Sequence, residues 1–141
     1  MIIITDTREQ TPLWTDHVAA LKTGDYSILG FENKIAIERK SLIDLFGTLT
    51  HGHERFRKEL ARAEDMDYFA IVIDGSLTKC LSKSFKGGKF TKMSGHVILK
   101  ILCTLSVKYG VRFYFCNNAV ECCALIQTLF NSYYLLQDRK T

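Results

Sequence analysis

Glu38 and Lys40 close a short apolar run, Ile35-Ala36-Ile37-Glu38-Arg39-Lys40, and Asp25 stands upstream in Gly24-Asp25-Tyr26. On a β-strand successive side chains alternate faces, so Glu38 and Lys40 project together while Ile37 and Arg39 point the other way. A carboxylate and an ammonium then share one face at the end of a buried strand. If Asp25 lies on the neighbouring antiparallel strand, a second carboxylate joins them. Such a pair suits Mg²⁺, which prefers hard oxygen ligands, keeps several waters and needs only one or two carboxylates. A divalent cation there neutralises a scissile phosphate and lowers the pKa of attacking water, the two needs of phosphodiester hydrolysis. Lys40 can orient or deprotonate that water, or stabilise charge developing on phosphorus. Asp6 and Glu9 can form the opposite wall, holding water or a second ion, with Arg8 on phosphate.

Each residue also has a plainer reading. Glu38 and Lys40 could be a surface ion pair, but the Ile35-Ala36-Ile37 lead-in argues for a central strand. Asp44 follows Ser41 at the spacing of a helix cap, and structure weighs more than catalysis there. Arg55 and Arg62 read as a solvated helix face unless DNA crosses it. His51 and His53 form an isolated H-x-H, weak evidence for a metal site without further ligands. By spacing alone, D…E-x-K is a moderately specific pattern.

The elements that must position these residues are legible. Ile2 to Thr5 is a short β-branched run, read as a central strand that surfaces at Asp6-Thr7-Arg8-Glu9. Pro12 marks a loop, and Val18 to Leu21 gives a weak strand signal. Asp25–Leu29 and Ile35–Lys40 are joined at hairpin length, with Gly30 opening the turn. Ser41 starts a helix whose apolar face is Leu42, Leu45, Phe46 and Leu49. A second helix spans about His53 to Glu64, followed by a strand from Tyr68 to Ile73. Ser76 to Lys92, rich in Lys, Ser and Gly, reads as a long loop with at most a helical turn at its start. A helix runs from Ser94 to a stop at Gly110, then a strand from Val111 to Cys116. Asn118 caps a last helix reaching about Gln137 that is apolar on nearly every side, so part of it should meet another chain. Strands mixed with helices in this order predict an α/β sheet with helices on both faces.

The 141 residues have the length of one domain, and 1–141 is read as such. Apolar residues make up 47% and charged residues 24%, which excludes a disordered chain. No apolar run approaches a membrane span, and the N-terminus lacks the features of a signal peptide, so an intracellular location is expected, cytoplasmic or nuclear. Five cysteines without a C-x-x-C pair read as free thiols rather than a disulfide framework or zinc site. The net charge of +4 hides an asymmetry: between Asp74 and Glu121 there is no acid, and that stretch carries +8, leaving −4 elsewhere. Either a polyanionic partner or a solvated lysine-rich loop accounts for this run.

Read together, Asp6-Thr7-Arg8-Glu9, Gly24-Asp25-Tyr26 and Ile37-Glu38-Arg39-Lys40-Ser41 with Asp44 resemble the nuclease domain of the XPF family of structure-specific endonucleases. The family signature is G-D, a variable gap, then E-R-K, three residues and D; Arg55-Phe56 matches a further family position. The resemblance covers nearly the whole chain. It implies a restriction-endonuclease-like fold and Mg²⁺- or Mn²⁺-dependent cleavage of DNA near flaps, forks and similar junctions. It also implies Asp25 and Glu38 as metal ligands, helped by the Arg39 backbone carbonyl, with Lys40 catalytic. Asp6, Arg8, Glu9, Arg39 and Asp44 complete the implied site, and pairing into a homodimer or heterodimer through the last helix is expected. Most relatives carry a tandem helix-hairpin-helix module after this domain, and the sequence ends at Thr141 without one. It is then an excised domain or a minimal nuclease whose junction recognition comes from elsewhere. Lys83, Lys86, Lys89 and Lys92, in a loop longer and more basic than the family core, are candidate DNA contacts with Arg8 and Arg55. The rival readings are a catalytically silent DNA-binding subunit and a restriction or junction-resolving enzyme of the same fold.

Overall fold

The computed structural model describes residues 1–139. Its centre is β4 (Ile35–Ser41), paired in parallel with β5 (Tyr68–Asp74) over seven registered positions, from Ile35 opposite Tyr68 to Ser41 opposite Asp74. Antiparallel β3 (Tyr26–Ile28) flanks β4 on one side and pairs in turn with antiparallel β1 (Ile3–Asp6). The two-residue β2 (Val18–Ala19) lies parallel to β1 at one edge, and β6 (Arg112–Cys116) lies parallel to β5 at the other. The sheet order is β2-β1-β3-β4-β5-β6. Crossovers through helices permit the β4–β5 and β5–β6 parallel pairs, the 7–17 loop connects β1 to β2, and the Gly30 turn joins antiparallel β3 and β4.

The alternation of β4 divides the core in two. Ala36, with Ile71 and Ile73 of β5, faces α1 (Leu42–Thr50), α2 (His53–Ala63), α3 (Leu77–Ser82) and α4 (Gly95–Tyr109). Ile35 and Ile37, with Ala70 and Val72, face Cys122, Ile126 and Phe130 of α5 (Ala119–Asp138). Helices therefore cover both faces, as the strand and helix pattern predicts. The apolar lead-in to Glu38 is fully buried, so the central-strand reading holds.

Helix starts follow the capping residues. The side chains of Ser41, Ser76, Ser94 and Asn118 accept the amides of Asp44, Lys79, Val97 and Glu121 respectively. The 76–92 stretch departs from expectation: it holds the six-residue α3 and a 3-10 turn at Gly88–Phe90 rather than a mostly irregular loop. Packing against elements distant in sequence does this. Cys80 is fully buried in the α1–α4 core, and Phe85 packs against Phe46 with ring centroids 5.1 Å apart. The weak strand signal at Val18–Leu21 shortens to Val18–Ala19, because Leu21 turns inward to meet Asp6. The last helix buries one stripe and leaves Val120, Leu135 and Leu136 exposed. No helix among the described residues is long and apolar enough to cross a membrane.

Candidate active site

Glu38 and Lys40 continue the row begun by Ala36 and emerge on the α1–α2 side, where the apolar row gives way to an open pocket of about 520 Å³. Into this pocket the structure brings Glu9, Asp25, Glu38, Arg39, Lys40 and Asp44, with Arg55 on the far wall. The Lys40 ammonium sits 3.4 Å from Glu38 Oε2 and 5.8 Å from the centre of the Phe56 ring. That is ion-pair distance without a hydrogen bond. Glu38 Oε2 is buried and has no hydrogen-bond partner.

Asp25 arrives from β3 by backbone pairing. Its amide donates to the Ile37 carbonyl at 2.9 Å, and Asp25 Oδ2 accepts the Arg39 amide at 2.8 Å. One carboxylate oxygen is thus anchored to β4 beside Glu38. Gly24 makes this approach possible: its φ is +79°, and a Cβ there would come within 3.0 Å of Ala36 Cβ. Arg39, as alternation demands, turns its guanidinium to the other face, donating to the Thr11 carbonyl at 2.7 Å and to Asp74 Oδ2 at 2.8 Å. It straps the chain after β1 to the end of β5.

The remaining predicted residues divide. Glu9 lines the pocket. Asp44 gives its backbone amide to the capping Ser41 Oγ at 3.2 Å, in the first turn of α1, and also lines the pocket. Asp6 does not line it. Its Oδ1 accepts the Leu21 amide at 2.8 Å and its Oδ2 accepts Arg8 Nε at 2.9 Å, which ties β1 to the 21–23 turn. Arg8 completes that tie by donating to the Leu21 carbonyl at 2.9 Å. Lys83 donates to the Thr91 carbonyl at 2.7 Å, whereas Lys86, Lys89 and Lys92 are exposed beyond α1. Glu59, on α2 one turn after Arg55, also lines the pocket, a residue the motif spacing does not single out. Its signal was the i, i+4 spacing from Arg55, which places both on one helix face.

Electrostatically the site is strained towards a cation. Burial pushes the Glu38 carboxyl well above the ordinary range, and the Glu59 charge pushes it further, with Lys40 only partly offsetting both. Burial likewise lifts Asp25 to about 7, reinforced by the charge of Glu38. Asp6 differs: burial raises it, but the Leu21 amide and Arg8 outweigh that and hold it below the usual value.

Two carboxylates with an unpartnered buried oxygen are the donors a hard divalent ion takes. Among the described residues no group of three or more His, Cys, Asp or Glu side chains is placed to hold a metal ion. The fit to Mg²⁺ or Mn²⁺ rests on Asp25 and Glu38 alone, since such an ion keeps several waters and takes one or two carboxylates.

These shifts have a measurable consequence. A carboxyl with a raised folded-state pKa binds more protons folded than unfolded, so its stability contribution is present at low pH and lost as pH rises through the folded value. For Asp25 that window runs from its ordinary value near 3.8 to about 7. In EDTA, Asp25→Asn should stabilise the protein at pH 8 by on the order of 2 kcal/mol, and much less at pH 4.5. Thermal melts across pH check this, and parallel curves for the two proteins would contradict it.

Residues 5–129 match the ERCC4 domain. XPF from Aeropyrum pernix superposes with a TM-score of 0.70 over 93% of this chain and 60% of its own length, at 20% identity. XPF from the same organism in complex with DNA gives 0.69 over 94% and 64%, at 19% identity. The chain thus spans less than two thirds of either protein. The likeness establishes the mixed-sheet fold as restriction-endonuclease-like, as the motif resemblance implied. No curated protein matches the sequence.

Proposed function

The chain belongs to the ERCC4 domain family, and from that premise we propose that it is a metal-dependent DNA endonuclease acting where duplex meets single strands. The observation that carries this reading is the convergence of Asp25, Glu38 and Lys40 in one pocket, with Glu38 Oε2 buried and unpaired. That XPF from Aeropyrum pernix forms a complex with DNA supports the choice of substrate.

In this reading Asp25 and Glu38 hold Mg²⁺ or Mn²⁺, with the Arg39 carbonyl as a further ligand. When bound, the ion supplies positive charge to the scissile phosphate and acidifies the attacking water. The protein's own side chains do the rest. The ammonium of Lys40, already facing Glu38, orients the water and offsets charge developing on the phosphate, and in its neutral amine form the same nitrogen can take the water's proton. Arg55, across the pocket, contacts the phosphate, and Glu9 and Asp44 order water at the rim. Asp6 and Arg8 act by holding the β1 end in place. The exposed apolar side of α5 supports pairing with a second chain.

The test is incubation with labelled flap, fork, four-way and plain duplex DNA, with Mg²⁺ and with EDTA. Cutting beside the single-strand junction only with Mg²⁺ is expected. Binding without cutting in any metal would instead assign a scaffold subunit, and cutting at one fixed sequence a restriction enzyme. The basic segment should contribute through phosphate contacts. Replacing Lys86, Lys89 and Lys92 together by Ala is expected to flatten the dependence of log affinity on log salt by about 2 to 3. An unchanged slope would remove that segment from the interface.

A further inference from the structure

Beside the active-site pocket, and sharing Ile43 and Gly47 with it, lies a second groove of about 510 Å³. Its near wall is α1 and its far wall is the segment Phe90–Met93. The two phenylalanines of the 76–92 stretch, Phe85 and Phe90, are treated differently. Phe85 packs on Phe46 and fixes the loop to the core. Phe90 is 79% exposed and belongs to neither core cluster.

An apolar ring held out in water on a loose loop would mean little, but this loop is fixed. Lys83 donates to the Thr91 carbonyl at 2.7 Å, Thr91 Oγ1 donates to the Gly88 carbonyl at 2.6 Å, and the Phe90 amide donates to the Gly87 carbonyl at 3.1 Å. Gly88 lies so close to the Lys83 carbonyl that a Cβ could not be accommodated. The ring is therefore displayed from a structured turn. Around it the charge is of one sign. Lys89 Nζ stands 5.1 Å from the Phe90 ring centre, Lys92 lines the groove, and no acid lies between Asp74 and Glu121.

A flat apolar surface flanked by lysines fits one occupant best: an unpaired nucleobase, whose face stacks on the ring while its phosphates meet the ammonium groups. Resting on the nuclease reading above, we propose that this groove receives the single-stranded arm of the substrate as it leaves the cut. The first unpaired base stacks on Phe90, with Lys89 and Lys92 on the adjoining phosphates. Phe90 would then be a specificity residue, distinguishing junctions from plain duplex, and takes no part in the chemistry.

The test is fluorescence-anisotropy binding in EDTA, so that nothing is cut, using the full chain and its Phe90→Ala and Phe90→Trp variants. The DNAs are a flap, the same flap with abasic sites at its first unpaired positions, and plain duplex. Phe90→Ala is expected to weaken flap binding about tenfold and leave duplex binding unchanged, while Phe90→Trp restores it. Removing the bases should weaken the wild type by the same factor and the Phe90→Ala variant no further. Equal loss on flap and duplex, or indifference to the abasic sites, overturns the proposal. So does a shift of Phe90→Ala from dimer to monomer in sedimentation without any base dependence, which would make the groove a seat for a second copy. Tight flap binding by the wild type that Phe90→Ala leaves untouched overturns the stacking alone. Absence of binding to all three DNAs removes the nuclease reading and this proposal with it.

Discussion

Asp25→Asn and Glu38→Gln are each expected to lower Mg²⁺-dependent cleavage of flap or fork DNA roughly 10³-fold or more. Charge stabilisation of a phosphoryl transition state by a held cation is worth several kcal/mol, and each 1.36 kcal/mol is tenfold in rate. Both substitutions keep the shape and one acceptor oxygen. In Asp25→Asn that oxygen still receives the Arg39 amide, so the β3–β4 junction stays closed. Neither should unfold the protein, because each removes a buried carboxylate that burial already disfavours in its charged form. The separation of effects is the point: cleavage collapses while the melting temperature in EDTA holds or rises. A variant that cuts within tenfold of the wild type would refute the ligand assignment, and one that fails to fold would place these carboxyls in the structure instead.

Lys40→Ala should lower the cleavage rate by about 10²- to 10⁴-fold, the range for a positioned general acid or base. Lys40→Arg should not rescue it, since a guanidinium stays charged and cannot take a proton. Binding of the divalent ion should survive, and this distinguishes Lys40 from Asp25 and Glu38. Removing the ammonium takes away the cation that faces Glu38 at 3.4 Å, so affinity for the ion is best compared above pH 8, where the carboxyl is more fully ionised. If Lys40→Ala retains normal cleavage, the ammonium serves only to balance Glu38.

The core of the site could be read from the chain because its geometry is local. Period-two alternation alone placed Glu38 with Lys40 and set Arg39 opposite, and an antiparallel hairpin brought Asp25 to the same strand end. Capping chemistry set the starts of α1, α4 and α5 for the same reason: the partners lie within one turn. What escaped depends on contacts distant in sequence. Asp6 carries the same charge as Glu9 three residues on, yet the inward turn of Leu21 occupies it and leaves it outside the pocket. Asp74 reveals its pairing with Arg39 only once β5 is registered on β4. The lysine-rich 76–92 stretch looks irregular by composition, and burial of Cys80 with packing of half-buried Phe85 against the α1–α4 core gives it shape.

The most direct measurement is Mn²⁺ titration of the full chain, followed by electron paramagnetic resonance, for the wild type and an Asp25→Asn, Glu38→Gln double variant. The wild type should bind Mn²⁺ in competition with Mg²⁺ and release protons as the raised carboxyls ionise. The double variant should bind none at the same concentrations and leave flap DNA uncut. Equal Mn²⁺ binding by both proteins, or flap cleavage by the wild type in EDTA, would contradict the claim that Asp25 and Glu38 hold the ion on which cutting depends.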